Sequence, residues 1–242
     1  MSAPTWYGPN RLRSGTVSAG STVATFPLSR LWDGFAALLW EGTGPIVLDQ
    51  GATVLDYDAA IFGAGHNLGG ATLTVTTDDN PGFSSPTTLG SAVAPTATAF
   101  AIACPGTVER YSAVSISGGP ATMQLGELFL APSVTAPRPP TLASAPNRVP
   151  NYVSQDSEAG VWLATIRGLP RWTADWIIPL FPRTLRTSFL AFWDAVDAGG
   201  QACFLMDDED TLRFVQVVDM KFSGGPMPQN YEGHFTQREA LA

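Results

Sequence analysis

The chain has 242 residues, a formal net charge of −8 and only 14% charged residues, well below the roughly 25% usual for soluble domains. Its single lysine, Lys221, and its scattered arginines form none of the basic clusters that bind nucleic acid or an anionic membrane surface. Both are therefore excluded as partners. A surface with so little charge is easier to explain if neighbouring subunits cover part of it, which predicts assembly.

The sequence contains no recognisable export signal or membrane span. The first residues, MSAPTWYGPN, have neither the basic start nor the apolar core of a signal peptide. The longest apolar run, around FAALLW, is far too short to cross a bilayer. We therefore expect a protein made in the cytoplasm without a signal peptide and without membrane insertion.

The two cysteines, Cys104 and Cys203, lie in different halves of the chain. Each belongs to an apolar, strand-like run, AFAIAC and QACFLM, so we predict two buried free thiols. Two cysteines so far apart predict neither a disulfide framework nor a CxxC metal site.

Residues 1–135 are predicted to be all-β. Short runs rich in β-branched residues alternate with Gly/Pro turn clusters, a pattern typical of a sandwich or barrel. The run PIVLD (Pro45–Asp49) lacks clean alternation, which suggests a strand buried on both faces. The predicted strands are Pro45–Asp49, Leu55–Phe62, Ala71–Thr77, Ala99–Cys104, Tyr111–Ser117 and Met123–Leu130.

The glycines in DAAIFGAGHNLGGATLTVTTDD nearly match the G-x-G-x-x-G pattern of dinucleotide-binding proteins. The third glycine of that pattern is replaced by Leu68, and a threonine-rich alternating run follows where the pattern needs a helix. The segment therefore predicts a β-hairpin. We expect His66 and Asn67 to lie at a strand end and to hydrogen-bond neighbouring backbone.

Five motifs in order resemble the galactose-binding-like (discoidin-type) β-sandwich over about residues 30–131. They are Asp49-x-Gly51, His66-Asn67, Asp78-Asp79, Arg110-Tyr111 and Glu127-Leu128. The resemblance implies a jelly-roll domain, a fold that often binds carbohydrate.

A sugar site needs exposed aromatic platforms and planar polar groups. The aromatic residues available are Trp6, Tyr7, Trp32, Trp40 and Phe83, and each of them could equally belong to the core or to an interface. The carbohydrate-binding residues therefore stay unknown at this stage.

The same resemblance implies a calcium ion held by an early Asp-Gly loop and the glutamate of the last strand. The matching positions are Asp33 in LWDG and Glu127 in LGEL. Calcium prefers six to eight oxygen ligands, but the residues after Asp33 are apolar and offer no side-chain oxygen. We therefore expect no cofactor, with calcium as the candidate to test.

Residues 136–149 are rich in Pro, Ala and Ser and are predicted to be a linker.

Residues 150–242 are predicted to form an α+β domain, with strands in VWLATIR, RWTADWII, ACFLM, LRFVQVV and YEGHFTQRE. The acidic run 207–210 lies between two of these strands and is predicted to be a solvated hairpin loop, with a salt-bridge contact to a neighbouring subunit as the alternative. The helix expected in TLRTSFLAFWDAV places its apolar residues at helical spacing: Leu185, Phe189, Phe192, Trp193 and Val196.

The order of these elements over about residues 150–240, with GLPRWTADW, SFLAFW, LRFVQVVD and HFTQREAL, resembles the tail-tube-related and distal-tail domains of tailed bacteriophages. The resemblance implies a β-sandwich with one helix that assembles into a ring around the tail axis. The expected fold class is thus mainly β, with a galactose-binding-like domain followed by a tail-tube-like domain.

We therefore predict a structural protein of the phage tail or tail tip, located in the virion. Other tail proteins, further copies of the chain and a cell-surface glycan are the expected partners. The alternative is a free carbohydrate-binding or adhesion module. The sequence contains no G-x-S-x-G elbow and no H-E-x-x-H motif, and His66 and His234 lie in separate halves, so we expect no catalytic residues and no enzyme activity.

Overall fold

The computed structural model describes residues 2–35, 37–141, 147–149, 152–156, 162–166, 171–196, 200–207, 209–224 and 230–240. Within these residues the chain is mainly β, as the sequence predicts, and its strands form four antiparallel sheets. The helix is α1 (Arg183–Ala195), and two 3-10 turns span Arg11–Ser14 and Leu28–Leu31. The strands are β1 (Thr5–Tyr7), β2 (Thr16–Thr22), β3 (Trp40–Asp49), β4 (Ala59–Phe62), β5 (Thr72–Asp78), β6 (Thr87–Val93), β7 (Phe100–Ala103), β8 (Tyr111–Ser117), β9 (Met123–Leu125), β10 (Leu128–Ala131), β11 (Ser133–Thr135), β12 (Asn147–Val149), β13 (Tyr152–Asp156), β14 (Trp162–Ile166), β15 (Arg171–Pro182), β16 (Cys203–Met206), β17 (Leu212–Gly224) and β18 (Asn230–Glu239).

The first half of the chain folds into a β-sandwich. One sheet has the order β2-β3-β8-β5-β6, with β9 also paired to β3, and the facing sheet has the order β10-β4-β7. Side chains alternate between the two faces of a strand, so Leu73 and Val75 of β5 meet Ala60 and Phe62 of β4 in one buried core. This arrangement confirms the predicted sandwich architecture.

In the three-stranded sheet, β4 and β10 are buried on both faces, whereas β7 is partly exposed. On the face away from the sandwich core, Ile61 and Phe129 pack against the second half of the chain. The ring of Phe129 lies 5.0 Å from that of Phe204 and 5.9 Å from that of Phe214, edge to face in both cases. The sequence predicts this double burial for Pro45–Asp49 instead, which is wrong, because burial alternates along this part of β3.

A seven-stranded sheet, in the order β11-β1-β16-β17-β18-β15-β12, combines strands from both ends of the chain. β1 lies between β11 and β16, with Trp6 opposite Leu205. Trp6 is 1% exposed, and its ring lies 5.1 to 5.9 Å from those of Trp176, Phe189 and Phe235. Residues near the start of the chain therefore complete the core of the second half.

These pairings bear on the predicted domains, 1–135 and 150–242, and on the linker 136–149 between them. The predicted linker contains regular structure, because its last three residues form β12 and pair with β15. β1 lies within the first predicted domain but pairs with β16 of the second. We predict that residues 1–135 can fold on their own, and in such a fragment β1 would keep β11 but lose β16.

The predicted helix is confirmed as α1, with Phe189 and Phe192 buried against the seven-stranded sheet. No side chain caps its first amides, and its first turn has no acidic residue. Its stability therefore comes from packing of the apolar face rather than from favourable end charges. Among the described residues, no helix has both the length and the hydropathy needed to span a membrane.

The acidic run 207–210 connects β16 to β17, and the prediction of a solvated loop is wrong for Asp207. This residue is 1% exposed, and its carboxylate accepts hydrogen bonds from two backbone amides of the turn. The same carboxylate pairs with Arg213 Nε at 2.6 Å. Glu209 is exposed, as expected, and Asp208 lies outside the described residues.

Candidate functional site

His66 and Asn67 have structural roles, as the sequence predicts. The His66 ring is buried; its Nδ1 accepts the amide of Leu68 at 3.3 Å, and its Nε2 lies 3.0 Å from the carbonyl of Thr98. Asn67 donates to the carbonyl of Thr122 and accepts the amide of Gln124 at the start of β9. Because these contacts occupy both ring nitrogens and the amide, neither side chain is free to bind a ligand or a metal.

The Asp49–Arg110 pair is also structural. Arg110 donates to both carboxylate oxygens of Asp49, at 2.8 and 3.1 Å, and so ties the end of β3 to the start of β8. The carboxylate also accepts the amide of Gly51. The Arg110 guanidinium holds the pKa of the Asp49 carboxyl below its ordinary value.

The loop that follows Leu31 brings Asp33 and Glu127 together, although they are far apart in sequence. Gly34 has a φ of +90°, which turns its amide toward Glu127 Oε1 at 2.8 Å. Glu127 is fully buried, and no described residue is hydrogen-bonded to its Oε2. The turn carrying Glu127 packs against Gly63, where an added Cβ would lie 3.1 Å from that of Glu127.

Burial dominates the electrostatics of Glu127. Removal from water raises the pKa of its carboxyl to about 8, while the amide hydrogen bond from Gly34 and the charge of Arg13 act in the opposite direction. The negative charge of Asp33 adds to the increase. At neutral pH the buried carboxyl is therefore mostly protonated.

This donor set does not fit a calcium ion. The loop presents backbone N–H groups to Glu127, and the Arg13 guanidinium also acts on this carboxyl, whereas calcium needs six to eight oxygens. Nowhere among the described residues do three or more His, Cys, Asp or Glu side chains cluster as a metal site would require. The unpartnered Oε2 of Glu127 offers one ligand, which is too few.

We accordingly expect added calcium to leave the melting temperature unchanged to within about 1 °C, since only an ion bound to the folded state would raise it. The measurement is a thermal melt of the whole chain with excess chelator and then with millimolar calcium. A calcium-dependent rise of several degrees in the melting temperature that disappears in Glu127→Gln would contradict this prediction. It would show that Asp33 and Glu127 are calcium ligands after all.

A cleft of about 260 Å³ lies between the sandwich and the seven-stranded sheet. The sandwich contributes Arg13 from the first 3-10 turn and the loop of Asp33, Gly34 and Phe35. The second half contributes residues 200–202, Gln216 of β17 and residues 238–240 at the end of β18. The cleft is therefore formed only when the two halves are in contact.

Sequence reasoning missed most of this cleft. Of the aromatic residues considered for a sugar platform, Trp6 and Trp40 are core residues, 1% and 0% exposed. Phe35, which no sequence motif singles out, is 50% exposed and lines the cleft. The only available signal was the unusual apolar run after Asp33, and no pattern links it to Gln201 or Arg238.

The prediction of two buried free thiols is confirmed, since Cys104 and Cys203 are both buried and neither forms a disulfide. Burial raises the pKa of Cys104 to about 11 and that of Cys203 to about 12, so neither forms a reactive thiolate at neutral pH. The expectation that the chain is not an enzyme stays a prediction.

Comparison with known proteins gives structural similarities alone. No protein-family model matches the sequence, and no curated protein matches it. Among solved structures, the chain is similar to chitosan-binding module 1 of a chitosanase/glucanase from Paenibacillus sp. IK-5, with 20% identity and a TM-score of 0.41. That match covers 50% of this chain and 98% of the module.

Two further similarities involve carbohydrate-active proteins. The CBM32 module of AlyQ, in complex with 4,5-unsaturated mannuronic acid, matches with 17% identity and a TM-score of 0.37, covering 47% of this chain and 91% of the module. A family 89 glycoside hydrolase from Clostridium perfringens, in complex with PUGNAc, matches with 10% identity and a TM-score of 0.42. That match covers 52% of this chain and 15% of the hydrolase. The sheet order described above, rather than these scores, establishes the β-sandwich.

Proposed function

We propose that this protein is a structural component of a multi-subunit assembly, the tail or tail tip of a bacteriophage. In this proposal the second half of the chain carries the contacts with other subunits. The sandwich half is displayed outward, where it meets the host surface. The large apolar contact around Phe129 and Phe204 would hold the displayed half in a fixed orientation.

The observation that carries the proposal is the hairpin formed by β13 and β14. Among the described residues, these two five-residue strands pair only with each other and lie outside the seven-stranded sheet. An isolated two-stranded hairpin is marginally stable in water. No other described strand pairs with its outer edges, so a strand of another subunit can add to them. A second copy of the chain, or an adjoining tail protein, is the partner this geometry favours.

The first expected result concerns the hairpin. Ala164→Pro removes one backbone donor from β14, so the variant should fold but fail to co-purify with the proposed tail partners. Ala164→Ser is the matched control and should assemble normally. Normal incorporation of Ala164→Pro into particles would show that the hairpin is not an assembly element.

Electron microscopy of particles tests the arrangement itself. We expect several copies around the tail axis, with residues 150–242 making the inner contacts and the sandwich outermost. A particle in which the sandwich lines the axis would overturn the assignment of roles, and particles without the protein would overturn the proposed function.

A free carbohydrate-binding or adhesion module is the second candidate. The cleft of polar and aromatic side chains between the two halves favours it, because recognition of a ligand requires no assembly partner. Binding of the purified whole chain to a glycan array, together with failure to join any particle, would select this candidate.

A further inference from the structure

We propose that the bond between Asp33 and Gly34 is a modification site, where the folded chain converts the aspartate into a β-aspartyl linkage with the help of the buried Glu127. Asp33 and Gly34 form the only Asp-Gly pair in the sequence. The modification is independent of the proposed function, because it needs no partner subunit.

The conversion needs only water as a second reactant. In the first step the Gly34 nitrogen attacks Cγ of the protonated Asp33 carboxyl, a C–N bond forms, and the carboxyl hydroxyl leaves as water. The product is a five-membered cyclic imide. In the second step one water adds to the former backbone carbonyl of Asp33 and breaks its bond to nitrogen. The main chain then runs through Cβ and Cγ, one methylene longer, and the former carbonyl becomes a free carboxyl group.

Glycine at position 34 leaves the attacking nitrogen accessible. Gly34 has a φ of +90°, and a Cβ placed on it would have one described neighbour within 4 Å beyond the adjacent residues, Arg13 Nη2 at 3.6 Å. The backbone can therefore turn and lengthen here without displacing a packed side chain.

The Asp33 side chain is already folded back over the peptide bond that reacts. Its Oδ1 accepts the amide of Phe35, two residues on, at 2.8 Å. The ring closed by this hydrogen bond contains both the Asp33 Cγ and the Gly34 nitrogen. The two reacting atoms are thus held in one small turn, which removes much of the entropy cost of bringing them together.

Glu127 supplies the proton transfer that the first step needs. Its Oε1 accepts the Gly34 N–H at 2.8 Å, a distance that allows direct proton transfer. Its side chain is fully buried, and no described residue is hydrogen-bonded to Oε2. The charge of Asp33 contributes to the raised pKa of Glu127, so the two carboxyl groups lie near each other. A protonated Glu127 can take the amide proton on Oε1 and give its own from Oε2 to the departing hydroxyl.

The loop is open to the water that the second step consumes. Asp33 and Gly34 line the cleft of about 260 Å³ between the two halves, and Phe35 beside them is half-exposed. The added methylene displaces the Gly34 amide from Glu127, which stays buried without that hydrogen bond. We expect the modified chain to melt about 3–8 °C below the unmodified chain.

The test incubates the whole folded chain for several weeks near pH 6 and, in parallel, the chain unfolded in guanidinium chloride. Mass spectrometry of proteolytic peptides detects the imide as the loss of one water, and electron-transfer fragmentation distinguishes β-aspartyl from aspartyl peptides. The product should form at position 33 at least about tenfold faster in the folded chain than in the unfolded chain.

Two variants isolate the groups involved. Glu127→Gln keeps an oxygen for the Gly34 amide but cannot exchange protons as a carboxyl does, so it should slow the conversion about tenfold or more. Glu41→Gln, which removes a carboxyl outside this loop, should leave the rate unchanged. Asp33→Glu moves the carboxyl one methylene away, and its melting temperature should stay constant during the incubation while that of the parent chain falls.

Three results would overturn the proposal: no β-aspartyl product at position 33, formation at least as fast in the unfolded chain, or an unchanged rate in folded Glu127→Gln. A cooperative melt shows that each variant is folded. If Glu127→Gln does not fold, the comparison of the folded and unfolded parent chain still decides, because only the folded chain holds the turn against the buried carboxyl.

Discussion

Replacing Trp6 with alanine should lower the free energy of unfolding by about 3–5 kcal/mol, the usual cost of deleting a large buried aromatic side chain. Trp6 is 1% exposed and packs on three aromatic rings of the second half. Its indole N–H also donates to Gln237 Oε1 at 3.0 Å, a bond that alanine would remove. Chemical denaturation of the whole chain measures the change.

The control for Trp6 is Trp32→Ala, a partly buried tryptophan that packs against the sandwich core. Trp32→Ala should lower the free energy of unfolding by clearly less than Trp6→Ala does, because folding removes less of the Trp32 side chain from water. Equal costs for the two variants, or a loss below about 1 kcal/mol for Trp6→Ala, would show that β1 does not complete the second core as described.

Stability should fall as the pH rises through the range set by Glu127. The carboxyl has a raised pKa of about 8 in the folded chain, against an ordinary value of 4.5, so folding favours its protonated form. The favourable contribution is complete below pH 4.5 and is lost progressively up to pH 8. At 1.36 kcal/mol per pKa unit, the loss is at most about 4–5 kcal/mol.

Glu127→Gln isolates this effect, since glutamine keeps an oxygen for the Gly34 amide but does not titrate. The difference in unfolding free energy between parent and variant should move in favour of the variant from pH 5 to pH 8.5. Glu41→Gln, at a partly exposed position on β3, controls for the loss of one charge. A parent–variant difference that does not depend on pH would contradict the buried, protonated carboxyl.

Local patterns in the sequence predicted the strongest elements well. Tyr111–Ser117 was predicted with both ends correct, and α1 begins one residue earlier than the predicted segment. The predicted strand Met123–Leu130 is divided, because Gly126 and Glu127 leave the strand to place the buried carboxyl. Sequence patterns such as alternation and helical spacing therefore predict an element correctly when its own side chains carry the apolar pattern of its buried face.

Elements that depend on distant contacts were missed. β2, with the sequence TVSAGST, and β6 have mostly small or hydroxyl side chains and are largely exposed, so they show no apolar alternation. β1 has three residues and exists because β11 and β16 flank it. The sequence could not predict the cleft for the same reason, since Arg13 and Gln201 come together only through the contact between the two halves.

The place of β1 sets an order of events during synthesis. Trp6 hydrogen-bonds Gln237, 231 residues later, so at translation rates of about 5–20 residues per second its partner appears some 10–50 s afterwards. Between the synthesis of Phe129 and that of Phe204, the nascent sandwich also leaves Ile61 and Phe129 uncovered. A ribosome stalled before residue 204 would thus carry a sandwich with an exposed apolar surface, which is the kind of surface that promotes aggregation.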